Sequence, residues 1–296
     1  MARRMIAPRM GARPGPGFVR SSLAGARRLA GGLRQRARRL EPLGGERPGV
    51  VVTGAGGTLG RVLRAGLRDA YLVRAIDRLP GEGIDLVADV RRVELLERAL
   101  AGAAAVVELA ATPRVDTPWA EVRDNNLAAT LATLEAARRA GVDRVVLASS
   151  NHVTGLYEED EPYASVVAGR YEGLDPETLP RIRVDWPVRP DGFYAVGKCA
   201  AEAAGRFYAE AHGLSVLCLR IGTVNAEDRP RDAREYATLL THRDLVQLVR
   251  RCLEAPAGLR FGVYYGVSRN TWRIWDVEEA RTALGYEPLD DAERFR

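Results

Sequence analysis

Residues 49–60 read Gly-Val-Val-Val-Thr-Gly-Ala-Gly-Gly-Thr-Leu-Gly, and they are the strongest indication of the fold. A short β-branched run enters a glycine cluster, and the helical pattern of residues 61–70 follows directly. The order of strand, glycine turn and helix predicts the first βα unit of a parallel sheet. Gly54, Gly57 and Gly60 have the spacing that allows a tight turn, brings backbone N–H groups to a pyrophosphate and packs the helix closely. We therefore predict a dinucleotide-binding turn; a glycine-rich loop without a ligand is the alternative.

The ends of the next two predicted strands carry acidic residues that suit the rest of a dinucleotide. Asp77 lies 17 residues after Gly60, where a carboxylate binds the adenosine ribose hydroxyls and repels a 2′-phosphate. It favours NAD over NADP, whereas the adjacent Arg78 favours NADP. Asp89 and Val90 end the third predicted strand and are expected to flank the adenine; a plain strand-ending aspartate is the alternative. The predicted cofactor contacts in this half of the chain are Gly54, Gly57, Thr58, Leu59, Gly60, Asp77, Asp89 and Val90.

Strands and helices alternate along the chain as far as residue 224. The predicted strands after the first cover residues 71–77, 84–89, 104–111, 144–150 and 215–224. The predicted helices after the first cover residues 93–100, 119–140 and 193–212. This alternation implies βαβ crossovers and a parallel sheet with helices on both faces. We therefore predict an α/β fold, a doubly wound parallel sheet of the Rossmann type, over residues 48–224.

Residues 225–296 show a weaker pattern, with a predicted helix at 243–253, a strand at 261–267 and a helix at 276–284. About seventy residues are too few for an independent domain of the usual size. We predict a small C-terminal substrate-binding lobe that packs on the sheet.

The positive charge of the chain is concentrated at its N-terminus. Residues 1–47 hold twelve arginines and two glutamates, a net charge of +10, whereas the whole chain carries +5, so the other 249 residues carry −5. This Arg-, Gly- and Pro-rich stretch has few large apolar residues and is predicted to be a disordered extension. An organellar transit segment, an electrostatic contact with anionic surfaces and an extension without function remain open interpretations. A remainder at −5 offers no basic groove, so nucleic-acid binding is not expected.

The cysteines indicate a reducing compartment. Cys199, Cys218 and Cys252 are widely spaced, with neither a Cys-x-x-Cys pair nor histidines at metal-ligand spacing. This usage predicts free thiols, no disulfide, no metal site and a cytoplasmic location. The chain contains no run of about 18 apolar residues, so a membrane span is not expected.

Lys198 is the only lysine among the 44 lysine and arginine residues. It follows Tyr194 by four positions, and residues four apart on a helix share a face, so the ammonium is expected to lie near the phenol. A lysine carries a compact ammonium, whereas a guanidinium is planar and always protonated, so the two are not interchangeable at a chemical site. The pair indicates catalysis; a lysine left there by chance is the alternative.

Several of these stretches together resemble the extended branch of the short-chain dehydrogenase/reductase family, of the NAD-dependent epimerase/dehydratase type. They are the Asp77 position and residues 53–60 (Thr-Gly-Ala-Gly-Gly-Thr-Leu-Gly), 148–152 (Ala-Ser-Ser-Asn-His) and 194–198 (Tyr-Ala-Val-Gly-Lys). Residues 149–152, 189–199 and 219–223 further resemble bacterial uronate dehydrogenases and archaeal NAD-dependent glucose-6-phosphate dehydrogenases. The likeness covers residues 49–296.

This resemblance implies three catalytic residues. Tyr194 would be the general base, Lys198 its electrostatic partner and a ligand of the cofactor ribose, and Ser150 the hydroxyl that hydrogen-bonds the reacting oxygen. A free phenol has a pKa of about 10, and a nearby ammonium favours the phenolate, which suits a base. Ser150 ends the fifth predicted strand, where ligands bind in open α/β sheets; a serine that only caps the strand end is the alternative.

The same resemblance implies the substrate contacts. Asn151 and His152, together with Ser150 and Tyr194, match substrate-binding positions of uronate dehydrogenases, although a lone histidine is often structural. Arg234 would hold the substrate carboxylate, because an arginine fork pairs with carboxylate or phosphate in bidentate fashion. Other arginines crowd the same loop, so a surface charge is the alternative.

The chain departs from the uronate dehydrogenase pattern at two places that bear on the substrate. Pro113 stands near a position where those enzymes carry a substrate-binding serine. The segment at 157–189 is longer than theirs and contains the acidic run Glu-Glu-Asp-Glu at 158–161, which is more typical of a solvated charge patch than of a metal site.

The leading hypothesis is an NAD-dependent sugar dehydrogenase, an enzyme that oxidises the anomeric hydroxyl of a cyclic hexuronate or a sugar phosphate to the lactone. A nucleotide-sugar epimerase or dehydratase is the first alternative, and it would need a larger C-terminal domain for the nucleotide diphosphate. A non-catalytic dinucleotide-binding scaffold is the second alternative. The expected partner is a small sugar acid or sugar phosphate, with neither nucleic acid nor membrane, and the resemblance implies a homo-oligomer.

Overall fold

A sheet of seven parallel strands forms the centre of the part that the structure describes. The computed structural model describes residues 41–296. The strands are β1 Gly49–Thr53, β2 Leu72–Asp77, β3 Leu86–Val87, β4 Ala105–Glu108, β5 Arg144–Ser150, β6 Ser215–Ile221 and β7 Phe261–Gly266. Their order is β3-β2-β1-β4-β5-β6-β7, and every neighbouring pair is parallel. The predicted α/β fold with a doubly wound parallel sheet is confirmed.

Helices cover both faces of this sheet. They are α1 Thr58–Leu67, α2 Val93–Ala99, α3 Trp119–Glu121, α4 Ala128–Ala140, α5 Tyr163–Val167, α6 Phe193–His212, α7 Glu235–Thr238, α8 His242–Glu254 and α9 Glu278–Leu284. A π-helical turn, Val122–Leu127, joins α3 to α4, and 3₁₀ helices cover Asn151–Glu159 and Ala292–Phe295. Helices α1, α8 and α9 pack into one apolar core with β1, while α2, α4 and α6 pack together.

The strand order reverses at β1, and this reversal opens the crevice that holds the site. Strand β1 pairs with β2 on one side and with β4 on the other. The chain leaves β1 toward β2 on one side and leaves β4 toward β5 on the other, so a gap forms at the carboxyl ends of β1 and β4, where open α/β sheets bind their ligands.

The predicted strands are longer than the observed ones at the edge that faces this crevice. Strand β3 has two residues instead of the predicted six, β4 ends at Glu108 instead of 111, and β6 ends at Ile221 instead of 224. The residues beyond these ends leave the sheet and line a cavity. The apolar pattern continues past each strand because a cavity wall, like a strand, buries its side chains.

The two ends of the chain relate differently to the sheet. The predicted extension at 1–47 lies outside the described residues except for its last seven, among which Leu43 donates its backbone N–H to the Ala101 carbonyl at 2.8 Å. Residues 225–296 supply β7, which pairs with β6, and α8, which packs against α1. The division at residue 225 stays a prediction.

Three further findings concern residues 41–296. None of their helices is both long enough and apolar enough to span a bilayer. No cluster of three or more His, Cys, Asp or Glu side chains within this range is arranged to hold a metal ion. Cys199, Cys218 and Cys252 are free thiols.

Candidate active site

A cavity of about 470 Å³ lies at the carboxyl ends of the strands. It extends from the ends of β3 and β2, past the glycine turn after β1, to the ends of β5 and β6 and the first turns of α6. Of the predicted site residues, Arg234 is the one that does not line it. Those that do are Gly54, Gly57, Thr58, Leu59, Gly60, Asp77, Asp89, Val90, Ser150, Asn151, His152, Tyr194 and Lys198. The fold therefore brings residues as far apart in the sequence as Gly54 and Lys198 to one crevice.

The glycine turn has no space for a side chain at Gly54 or at Gly60. Gly54 has φ +64°, which favours glycine, and a Cβ there would lie 2.8 Å from the Leu109 carbonyl oxygen. A Cβ on Gly60 would lie 2.6 Å from the Gly54 oxygen. The turn therefore exposes backbone to the cavity and directs the N-terminus of α1 toward it, the arrangement that binds pyrophosphate. The residues present fit a dinucleotide.

Asp77 is fixed beside this turn at the end of β2. Its carboxylate accepts hydrogen bonds from the Gly56 N–H at 2.8 Å and from the Leu79 N–H at 3.0 Å. Asp89, farther along the cavity, is paired with Arg91 at 2.6 Å, and this hydrogen bond holds the pKa of the Asp89 carboxyl below its usual value. The cavity wall at the predicted adenosine end thus carries one carboxylate held by backbone and one held by an arginine.

Tyr194 and Lys198 lie on the face of α6 that is turned to the cavity. The Lys198 side chain is buried, with the residue 4% exposed, and its Nζ donates to the Ala148 carbonyl at 2.5 Å. The same Nζ lies 5.7 Å from the centre of the Tyr194 ring. The helix spacing therefore brings ammonium and phenol together as predicted, and a long-range hydrogen bond to β5 fixes the ammonium.

Ser150, Asn151 and His152 line the cavity beside α6, where β5 passes into the 3₁₀ helix. The Ser150 Oγ accepts the His152 backbone N–H at 3.3 Å, which caps this helix. Asn151 is buried, and its Nδ2 has no hydrogen-bond partner among the described residues. The His152 ring meets the Tyr194 ring edge-on, with centroids 6.2 Å apart. A buried amide donor without a partner beside a cavity indicates a ligand contact.

Arg234 is engaged elsewhere. Its Nε and Nη2 donate to the two carboxylate oxygens of Glu158 at 2.5 and 2.7 Å. This bidentate pair joins the start of α7 to the end of the 3₁₀ helix that carries His152. Its predicted contact with substrate stays a prediction. The neighbouring Arg231 pairs with Glu235 at 2.9 Å.

Sequence reasoning missed Glu108, the last residue of β4. It is 1% exposed, and neither carboxylate oxygen has a hydrogen-bond partner among residues 41–296. Burial raises the pKa of this carboxyl to about 7, and the nearby Lys198 ammonium offsets part of that effect. A single acidic residue within the apolar run Ala-Val-Val-Glu-Leu-Ala-Ala at 105–111 was the available signal.

Glu108→Gln is expected to change how stability depends on pH. The pKa of Glu108 is raised in the folded state, so the unfolded chain loses this proton first and stability falls as pH rises from 4.5 to about 7. A shift of this size corresponds to about 3 kcal/mol. Urea unfolding of both proteins is measured at pH 5 and pH 8. The free energy of unfolding of the variant, relative to that of the parent, should be higher at pH 8 than at pH 5. A difference that does not depend on pH would contradict a raised pKa.

Sequence reasoning also missed the residues that shape the loop after β4. The Asn126 side chain accepts the Thr112 N–H at 2.7 Å and donates to the Thr112 carbonyl at 3.1 Å. Asn125, in the same π-helical turn, lines the cavity together with Thr112 and Pro113. The adjacent asparagines within a predicted helix were the only signal, because asparagine is a weak helix former.

Comparison with known proteins gives consistent matches. A family model described as the NAD dependent epimerase/dehydratase family matches residues 50–262. An NAD-dependent glucose-6-phosphate dehydrogenase of Haloferax volcanii is 34% identical over 258 residues, covering 83% of this chain and 95% of its own. An L-arabinose 1-dehydrogenase (NAD(P)⁺) of the same organism is 35% identical, covering 82% and 97%. Among solved structures, a mutant uronate dehydrogenase from Agrobacterium tumefaciens complexed with NAD has a TM-score of 0.69 at 31% identity, covering 84% and 88%.

Proposed function

Because the chain belongs to the NAD-dependent epimerase/dehydratase family, we propose that it oxidises the anomeric hydroxyl of a cyclic hexuronate or a sugar phosphate to the lactone. The observation that carries this proposal is the shared cavity. Tyr194, Lys198 and Ser150 line it where β5 ends and α6 begins, and the glycine turn after β1 lines the same cavity. Catalytic and cofactor-binding groups are thus within one crevice, which a non-catalytic scaffold would not need.

The predictions of the family, of an NAD-dependent oxidoreductase and of NAD as the cofactor are confirmed by the matches to NAD-dependent dehydrogenases. In the proposed arrangement the turn from Gly54 to Gly60 holds the pyrophosphate, and Asp77 binds the adenosine ribose hydroxyls. Asp89 and Val90 flank the adenine. Bound NAD supplies the hydride acceptor.

In the proposed mechanism, Tyr194 removes the proton of the anomeric hydroxyl. The Lys198 ammonium, 5.7 Å from the centre of the phenol ring, is proposed as its electrostatic partner and as a ligand of the cofactor ribose. Ser150 hydrogen-bonds the reacting oxygen and keeps it within reach of the phenol. Low exposure of Lys198 and Ser150 strengthens these interactions, because water does not screen them.

The sugar ring is proposed to lie against Asn151 and His152. The unpaired Asn151 Nδ2 is a donor for a ring oxygen or hydroxyl. Arg234 is proposed to hold the carboxylate or phosphate of the substrate. Since its fork is already bidentate to Glu158, the substrate anion must share or displace that carboxylate.

A substrate screen tests this proposal. Purified protein is incubated with NAD or NADP and with hexuronates, hexose phosphates and neutral aldoses, and NADH formation is followed by absorbance. With NAD we expect NADH to accumulate in the presence of a hexuronate or a sugar phosphate, and with NADP we expect NADPH to form more slowly. A nucleotide-sugar epimerase, which returns the hydride to its substrate, would give no net NADH with any sugar. Failure of every sugar class would overturn the proposal.

We further propose a homo-oligomer in the cytoplasm. Helix α6 and the neighbouring α4 expose apolar side chains, including Phe193, Val196, Phe207 and Leu131, and Phe207 is 58% exposed. Contiguous exposed apolar side chains indicate a protein contact. Light scattering should give a multiple of the chain mass, and Phe207→Glu should lower it toward the monomer. A parent protein that is monomeric at all concentrations would contradict this.

A further inference from the structure

Asp191 pairs with the predicted substrate contact His152. It lies three residues before Tyr194, just ahead of α6, and its Oδ2 is 2.5 Å from the His152 Nδ1. Both side chains are mostly buried, 21% and 19% exposed. None of the roles assigned above uses Asp191.

The chain around this pair is shaped to hold Asp191 in place. A Cβ on Gly155 would lie 2.1 Å from the Asp191 Oδ2, so a glycine is needed at 155 to leave room for the carboxylate. The Leu156 N–H donates to the Arg189 carbonyl at 3.0 Å, and the Arg189 N–H donates to the Val153 carbonyl at 2.9 Å. These two backbone hydrogen bonds hold the segment before α6 against the 3₁₀ helix that begins at Asn151. The contact is therefore part of the local fold.

The pairing decides which ring nitrogen of His152 carries a hydrogen. An ionised carboxylate can only accept hydrogen bonds, so a neutral imidazole facing it keeps its hydrogen on Nδ1. The other nitrogen, Nε2, then has a free lone pair. Carboxylate partners of this kind fix the ring orientation and tautomer of functional histidines in other sites.

We propose that Asp191 is a positioning residue, which holds His152 with the hydrogen on Nδ1 so that Nε2 accepts a hydrogen bond from a substrate hydroxyl. This proposal rests on the function proposed above. His152 lines the cavity and its ring meets Tyr194 edge-on, so the hydroxyl that it binds belongs to the sugar that Tyr194 oxidises. Asn151 as donor and His152 as acceptor would together distinguish the orientation of ring hydroxyls.

NMR of the unmutated protein can show which ring nitrogen of His152 carries the hydrogen. The chain has three histidines, so ring ¹⁵N resonances can be assigned by comparison with His152→Ala. We expect the ring hydrogen of His152 to be on Nδ1, with none on Nε2, and we expect Asp191→Ala to lose this preference. A hydrogen on Nε2 alone, or an imidazolium, in the parent protein would overturn the proposal. This readout does not depend on turnover, so it separates the proposal from failure of the proposed function.

Steady-state kinetics provide a second test of the role of Asp191. Asp191→Ala should lower kcat/KM for the sugar by about 10–100-fold, with NAD affinity unchanged. In the His152→Ala background, Asp191→Ala should lower kcat/KM little further, because a positioning residue acts through the group that it positions. An equal loss in both backgrounds would show a merely structural role and would overturn the proposal. Asp191→Asn, which keeps the volume beside Gly155, replaces Asp191→Ala if the latter does not fold. Asp185→Asn, an exposed carboxylate paired with Arg183 in the same segment, is the matched control.

Discussion

Tyr194→Phe is expected to lower kcat for sugar oxidation by about 10²–10⁴-fold, the usual contribution of a general base. The substitution removes one oxygen from a ring that is otherwise retained, and the buried ring keeps its contact with His152. Without the phenol, no other side chain is proposed to take the proton of the anomeric hydroxyl. NAD affinity should stay within a few-fold of the parent, and this is measured by titration of protein fluorescence.

Tyr208→Phe is the matched control for this experiment. Tyr208 lies on the same helix, and its hydroxyl donates to Glu135 on α4 at 3.3 Å, away from the cavity. Loss of that hydroxyl should leave kcat unchanged. If Tyr194→Phe oxidised the sugar as fast as the parent, the proposed base would be wrong, although the cofactor site could still be right.

Lys198→Arg is expected to lower kcat/KM by about 10²-fold or more, even though the positive charge is kept. The Nζ sits in a nearly dry space and donates to the Ala148 carbonyl at 2.5 Å. A guanidinium is larger and planar, so it cannot occupy the same space with its charge at the same distance from the phenol. Lys198→Met, which keeps the stem but removes the charge, should be at least as damaging.

Arg206→Lys is the control for exchange of the two cations. Arg206 is an exposed residue of the same helix and pairs with Glu210 at 3.3 Å. Surface pairs of this kind contribute little, so stability and turnover should not change. Full activity of Lys198→Arg would mean that the single lysine of the chain was left by chance, which was the alternative on sequence grounds.

The sequence was most informative where a short stretch contains its own physical reason. The glycine turn at 54–60 requires a positive φ and close backbone approach, and these requirements are visible as residue types. The four-residue spacing of Tyr194 and Lys198 fixes a shared helix face whatever the rest of the fold does. Alternation of strands and helices likewise determined the parallel sheet, including its two buried faces.

The family resemblance extends the prediction to site residues that local patterns do not specify. Ser150, Asn151 and His152 match a family motif, and all three line the cavity beside α6. Arg234 was assigned in the same way, but the structure pairs it with Glu158, a residue 76 positions earlier. A bidentate partner at that separation cannot be read from spacing.

By itself, then, the amino-acid sequence determined the α/β sheet, the dinucleotide turn and the phenol–ammonium pair, because each depends on neighbours within one turn or one βα unit. The partners of the charged groups, by contrast, are visible only in the folded protein. His152 meets Asp191 across 39 positions, Arg234 meets Glu158, and Glu108 is buried near Lys198 without a hydrogen-bond partner among the described residues. The physical reason is that burial and charge pairing depend on where distant segments come together, and the path of the chain between them sets that meeting.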